Sequence, residues 1–181
     1  MPAEFGEFKK NFGDQTKNKK FRKPNRKTFI SKPEAAAQGR GIFLTRSLED
    51  FDPYEHYVVQ RYLHKPFLID NLKFDLRIYI LLSGVDPLRI HFYKEGLCRL
   101  ATCEYRSPNQ GNLDNLYMHL TNYAINKSAS NYIMNKGSEK DEVGHKRSLT
   151  FALKYIDQMG FDSKQVLLDI KDTIIKTICT V

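Results

Sequence analysis

The stretch "KFDLRIYILLSG" (residues 73–84) decides the fold. Successive side chains of an extended chain point to opposite sides. Phe74, Leu76, Ile78 and Ile80 therefore share one face, and Lys73, Asp75 and Arg77 share the other. Strict alternation of this kind predicts a half-buried strand, apolar towards a core and charged on its open side. Two readings of the charged row stay open: a salt-bridge ladder on a solvated sheet, or a lining for an anion.

More strand-like runs flank this one. "TFISK" (28–32) and "GIFLTR" (41–46) sit either side of a loop closing on Gly39-Arg40-Gly41, and "HYVVQRYL" (56–63) follows a turn at Asp52-Pro53. Downstream, "LRIHFYKEGLCRLAT" (88–102) reads as a hairpin turning at Lys94-Glu95-Gly96. "LYMHLTNYAINK" (116–127) follows neither period, and the polar "NKGSEKDEVGHK" (135–146) reads as a mobile loop. Two helices follow, Ser148–Met159 stopped by Gly160, and one from an Asp162/Ser163 cap with Val166, Leu167, Ile170, Ile174 and Ile178 on one stripe. Strands first and helices later predict an α+β domain. Val181 falls inside that apolar helix, so the sequence reads as a piece of something longer.

The 181 residues suffice for one domain with a core, and 41% hydrophobic with 28% charged is ordinary for a globular chain. No apolar run is long enough to span a bilayer, and the N-terminus lacks the apolar stretch of a secretory signal. Cys98, Cys103 and Cys179 are odd in number and lack CxxC spacing, which speaks against a disulfide framework or zinc site and for a reducing cytosol. Net charge is +8, and residues 1–32, with ten Lys/Arg against three acids, carry +7 of it. We therefore divide the chain into a basic N-terminal segment, 1–27, read as loop with room for a short helix and partly disordered, and a domain over 28–181. Such a basic segment is either a solvated loop or an attractor of polyanions.

Lys32 ends the first strand, and Arg99 lies between Cys98 and Leu100 with its side chain on the opposite face. Cations gathered from Lys32, Lys73, Arg77 and Arg99 would repel one another unless an anion lay between them. Gly39 and Gly41 permit positive φ and close backbone approach, and loop N–H groups can meet phosphate oxygens. The pattern is neither a P-loop nor a kinase loop, because GxxxxGK[ST], DFG and HRD are missing and Lys32 precedes the glycines. "QRYL" (60–63) offers strand-end backbone to an adenine edge, with Tyr62 or Leu63 for its ring, or it is a plain strand. In "HLTNY" (119–123) the histidine reads first as structural, and Thr121-Asn122 could serve a ribose or phosphate.

"SKP…QGRGIFL", "VVQRYLHKPFLIDNLKFDLRIYILL", "DPLRIHFYKEGLCRLAT" and "NLDNLYMHLTNYAINK" together resemble the tubulin–tyrosine ligase-like family, within it most the tubulin polyglutamylases, over residues 28–160. The resemblance implies an ATP-grasp-like α+β fold, here incomplete, with an antiparallel or mixed sheet and C-terminal helices. It implies ATP-dependent amide formation: a carboxylate is phosphorylated, and the amine of free glutamate attacks the acyl phosphate. Carried over by motif, Lys32 meets ATP phosphates, and Gln38 and Gly39 lie in the phosphate loop. Gln60, Arg61, Tyr62 and Leu63 form the adenine hinge. Lys73, Phe74 and Asp75 line the ribose and phosphates, and Thr121 and Asn122 complete the nucleotide site. Arg99, Tyr123, Ala124 and Lys146 hold the incoming glutamate, whose two carboxylates suit two cations. Arg77 is the catalytic residue, stabilising the phosphoryl group in transfer.

One departure matters. The family binds Mg²⁺ through a late-strand Asp and a Glu-x-Asn pair, in motifs resembling "FDIMLD" and "LLEVN", and neither occurs here. No metal ligand is assigned, so this chain alone is expected to bind ATP weakly and not to turn over, Mg²⁺ acting in the full-length protein. The implied partners are the glutamate-rich tubulin C-terminal tails, or microtubules, drawn by the basic segment in a salt-sensitive way. A membrane is not among them, and nucleic acid is disfavoured because the aromatics of the arm do not interleave regularly with its cations. The implied setting is cytoplasmic and cytoskeletal, a cilium or basal body included. The competing reading is a non-catalytic tubulin binder, or a relative ligating glycine or tyrosine.

Overall fold

The protein is seen in a computed structural model, and the structure describes residues 3–14, 27–52, 54–135 and 141–180. The turn placed at Pro53, most of the basic arm (15–26) and the middle of the polar loop (136–140) lie outside the described residues.

Helix α1 (Ala3–Asp14) precedes a three-stranded sheet ordered β2 (Phe43–Thr45), β1 (Phe29–Pro33), β3 (Tyr57–Arg61). A four-stranded sheet follows, ordered β4 (Leu68–Ile69), β5 (Leu72–Val85), β6 (Leu88–Leu100), β7 (Lys146–Ser148). Every pairing among the described residues is antiparallel. Short helices α2 (Leu116–His119) and α3 (Tyr123–Asn126) occupy the stretch without a clear period, and α4 (Leu149–Gln158) and α5 (Ser163–Cys179) follow. This is the α+β arrangement the sequence order predicts.

The anticipated short N-terminal helix is α1, and it docks through Phe8 and Phe12, one turn apart. Phe12 lies 4.8 Å from Phe29, and Phe8 lies 5.5 Å from Phe51, centroid to centroid. Phe29 and Ser31 point to this outer side of β1. Ile30 points inward, against the cluster of Leu44, Tyr62 and Leu113. Lys32 shares the side of Ile30.

The second core forms as the alternation requires at Phe74 and Leu76, whereas Ile80, expected on the same core face, is 41% exposed beyond the register shift after Ile78. Ile69, Cys98, Leu100 and Ala152 are fully buried, with Leu72, Phe74, Leu76, Phe151 and Tyr155 packed on them. The tight turn between β4 and β5 puts Asp70 (φ 52°) and Asn71 (φ 61°) in the left-handed region, which Asp and Asn tolerate. Asp70 also meets the buried Arg147 at 2.6 Å, which lets that cation sit beneath the sheet. Ser148 caps α4, accepting from Phe151 N–H, and Asp162 caps α5.

Two readings of the sequence are corrected. The hairpin turns at Asp86-Pro87, between β5 and β6, and Lys94-Glu95-Gly96 lies inside β6. The register there slips from Ile78↔Gly96 to Ile80↔Phe92, so the KEG stretch is a bulge. Glu95 holds it in place by accepting from Gly96 N–H (2.9 Å) and from the Thr150 hydroxyl (2.6 Å) at the start of α4. The second correction concerns the polar loop. Its last part, 141–146, is anchored: Asp141 accepts from Ser148, His145 is buried, and Lys146 begins β7.

Candidate functional site

The site is the open face of the second sheet where the first sheet meets it. Pairing Asp75↔Arg99 and Arg99↔Lys146 lines up three charged side chains across β5, β6 and β7. Their neighbours in sequence, Cys98 and Arg147, point to the buried side. Arg99 forms a two-pronged bond to Asp75, Nε to Oδ1 at 2.9 Å and Nη2 to Oδ2 at 2.7 Å. The Thr121 hydroxyl donates to the same carboxylate at 2.5 Å. Of the two readings of the charged row, the salt bridge holds for Asp75, whose partner is Arg99 of the neighbouring strand. Lys146 lies over the Tyr123 ring, 3.4 Å from its centroid, a favourable cation–π contact. Arg99, Tyr123 and Lys146 are therefore brought together, with Ala124 next in α3.

Lys73 is held by neutral groups; its ammonium donates to Tyr62 Oη (3.0 Å) and to the His119 carbonyl (2.8 Å). Burial pushes its pKa down to about 8, Asp75 acts in the raising direction, and the positive charge of Lys32 lowers it further. That mutual effect puts Lys32, from the first sheet, and Lys73, from the second, in one electrostatic neighbourhood. Lys32 itself donates to Gln60 Oε1 at 2.8 Å. Arg77 is exposed on the same face of β5, two residues beyond Asp75. Phe74 takes the opposite side, in the core.

The glycine loop has the predicted backbone at Gly39 and Gly41, both at positive φ, and Gln38 is at positive φ as well. Its close approach is to protein: a Cβ on Gly39 would come within 2.6 Å of Ile125 and 3.1 Å of Asn122. The loop thereby rests on α3, beside Asn122. In the hinge, Tyr62 is buried and its N–H is taken by the Thr28 carbonyl (2.9 Å), whereas Leu63 is exposed, as are Gln60 and Arg61.

Two buried polar anchors hold this region; the structural reading of His119 stands, and Asn126 was not anticipated. His119, fully buried, bonds Tyr62 and the Asn112 carbonyl. Asn126 accepts from both the N–H and hydroxyl of Thr102 and donates to the Leu120 and Asn122 carbonyls, tying α3 to the end of β6. The only available signal was isolated polar residues in the otherwise apolar run 116–126. Among the described residues no three His, Cys, Asp or Glu side chains are grouped to hold a metal ion, and no helix is long and apolar enough to cross a membrane.

The class is an α+β chain of antiparallel sheets with a cation-rich face across the second. Residues 2–181 match the tubulin-tyrosine ligase family, and the chain belongs to that family. It is similar, at 55% identity over 178 residues, to a probable beta-tubulin polyglutamylase of Tetrahymena thermophila, covering 98% of this chain and 14% of that protein. It is 46% identical over 178 residues to the tubulin polyglutamylase TTLL6 of Mus musculus, covering 98% of this chain and 20% of that protein. With the tubulin polyglutamylase ttll6 of Danio rerio the figures are 43% over 178 residues, 98% and 21%. The chain thus spans only about a seventh to a fifth of the length of these relatives.

Proposed function

We propose that this chain carries the nucleotide and amino-acid face of an ATP-dependent ligase that adds glutamate to glutamate side chains of tubulin C-terminal tails. One observation carries the reading: Lys32, Lys73, Arg99 and Lys146 converge on one face, and the carboxylate of Asp75 forms a direct ion pair with only one of them. Such a surplus suits a ligand with several negative charges. The names of the relatives, tubulin polyglutamylases, support the chemistry and the acceptor.

The surplus divides naturally. Lys32 and Lys73, with the glycine loop beside them, would take the polyphosphate of ATP, as in an ATP-grasp site. Gln60 to Leu63 would border the base, and Thr121 and Asn122 the ribose side. Arg99 keeps Nη1 beyond the two nitrogens given to Asp75, and Lys146 stands next to it, so a dicarboxylic amino acid would find two cations over Tyr123. ATP supplies the phosphoryl group that activates the acceptor carboxylate as an acyl phosphate. Arg77, exposed at the rim, would meet the charge of the group in transfer. The described residues do not fit Mg²⁺, because Asp75 is already engaged by Arg99 and Thr121. The setting proposed is the microtubule cytoskeleton.

The test uses the full-length protein. Lys32→Ala and Asp75→Ala should each abolish incorporation of labelled glutamate into tubulin while leaving the far-ultraviolet circular dichroism unchanged. Retained incorporation by folded Lys32→Ala removes the phosphate assignment.

A further inference from the structure

The buried groups behind Lys73 form a chain of hydrogen bonds whose direction is set by the fixed acceptor at its far end. His119 Nε2 lies 2.9 Å from the Asn112 carbonyl, which can only accept, so Nε2 carries the proton. Burial lowers the pKa of His119, and the charge of Lys73 lowers it further, against the Asn112 bond, so the ring is neutral and Nδ1 is bare. The Tyr62 hydroxyl, 3.1 Å away with Tyr105 as the other group beside it, is then the donor that completes Nδ1. Its own oxygen is then left to accept, and Lys73 Nζ stands 3.0 Å from it. A second ammonium proton goes to the His119 carbonyl at 2.8 Å. An ammonium has three protons. Two are directed backwards into the fold, and the third is left for the open face.

We propose that Tyr62 and His119 are positioning residues for Lys73: the one-way chain Asn112 carbonyl–His119–Tyr62 clamps its ammonium so that one N–H is offered to an anionic ligand. The proposal rests on the reading of this face as a polyphosphate site for the identity of the ligand, but not for the clamp itself. It gives Tyr62 a role different from packing on an adenine ring. The titratable groups facing Lys73 are Lys32 from β1, Tyr62 after β3, Asp75 on its own strand and His119 at the end of α2, with Tyr105 edge-on to His119 at 5.9 Å.

Two measurements on this chain test the clamp. Long-range ¹H–¹⁵N spectra of the unmodified protein should show His119 as the neutral Nε2–H tautomer, and an Nδ1–H tautomer would overturn the proposal. The second measurement follows the Lys73 Cε and Nζ resonances against pH in nucleotide-free wild type and Tyr62→Phe. Loss of the accepting oxygen should move the midpoint down by about one pH unit. A midpoint unchanged in folded Tyr62→Phe would overturn the clamp. The same variant should bind ATP about five- to tenfold more weakly, with the loss growing as pH rises past the lowered midpoint. Failure of the nucleotide reading looks different: wild type and Lys73→Met would bind ATP alike, while the tautomer and the Tyr62→Phe midpoint stood as expected.

Discussion

β5 and β6 form one ribbon with two unlike halves. Near the turn at Asp70-Asn71 they are flanked by β4 and β7 and backed by α4; beyond the bulge at Glu95 they continue as a two-stranded arm. The near half buries Cys98 and Leu100 and aligns Asp75, Arg99 and Lys146 on its other side. The far half is also rich in apolar residues, yet Leu81, Val85 and Tyr93 are 62%, 78% and 59% exposed. Sequence period alone makes a strand; only what packs on each face makes a core on one side and a site on the other. The far half has a two-strand ladder and little else among the described residues, apart from α5, whose Lys171 reaches the Phe92 ring.

The contrast can be broken from the near side first. Leu100→Ala should cost about 3 kcal/mol in chemical unfolding, since it opens a cavity among Ile69, Cys98 and Ala152. Gly96→Ala should cost about 2 kcal/mol, because the added Cβ would stand 2.6 Å from the Arg77 carbonyl oxygen and force the strands apart at the bulge. Glu95→Ala should cost about 1 kcal/mol, by uncapping Thr150 at the start of α4. Burial raises the Glu95 pKa, but bonds from Thr150, Gly96 and Leu149 outweigh it and hold the carboxyl below its usual range. This contribution is therefore present above the ordinary carboxylate pKa and fades as pH falls through the lowered one. Leu81→Ser, on the far half, should change stability by less than about 0.5 kcal/mol. A Leu81→Ser loss as large as that of Leu100→Ala would erase the distinction between the halves.

The sequence was most legible where local and tertiary signals agree. The alternation from Lys73 to Ile78 named both faces correctly, and the Ser148 and Asp162 caps located the last two helices. It misled at Lys94-Glu95-Gly96, where turn-like chemistry served a bulge fixed by Thr150, 55 residues away. It also misled at 141–146, where a polar run is held by Asp141 on Ser148 and by His145 on the Ile133 N–H. At 116–126 two helices of four residues are too short to show a period, and their geometry comes from Asn126 and His119. The candidate site was legible as residue types; the pairing of Arg99 with Asp75 and the backing of Lys73 by Tyr62 were not, because both join residues far apart in the chain.

The claim that the two sheets share one anion-binding face rests most heavily on Lys73. Its pKa in the folded chain, about 8, lies below the ordinary 10.5, so the unfolded chain binds the extra proton between those values and stability should rise with pH across that window. A bound polyphosphate favours the charged form and should return the midpoint towards 10.5. The decisive measurement is the Lys73 titration by NMR with and without saturating ATP. The expected result is a midpoint near 8 in the free chain that climbs when ATP is present. A midpoint at the ordinary lysine value in the free chain, or one that ATP leaves unmoved, would contradict the account.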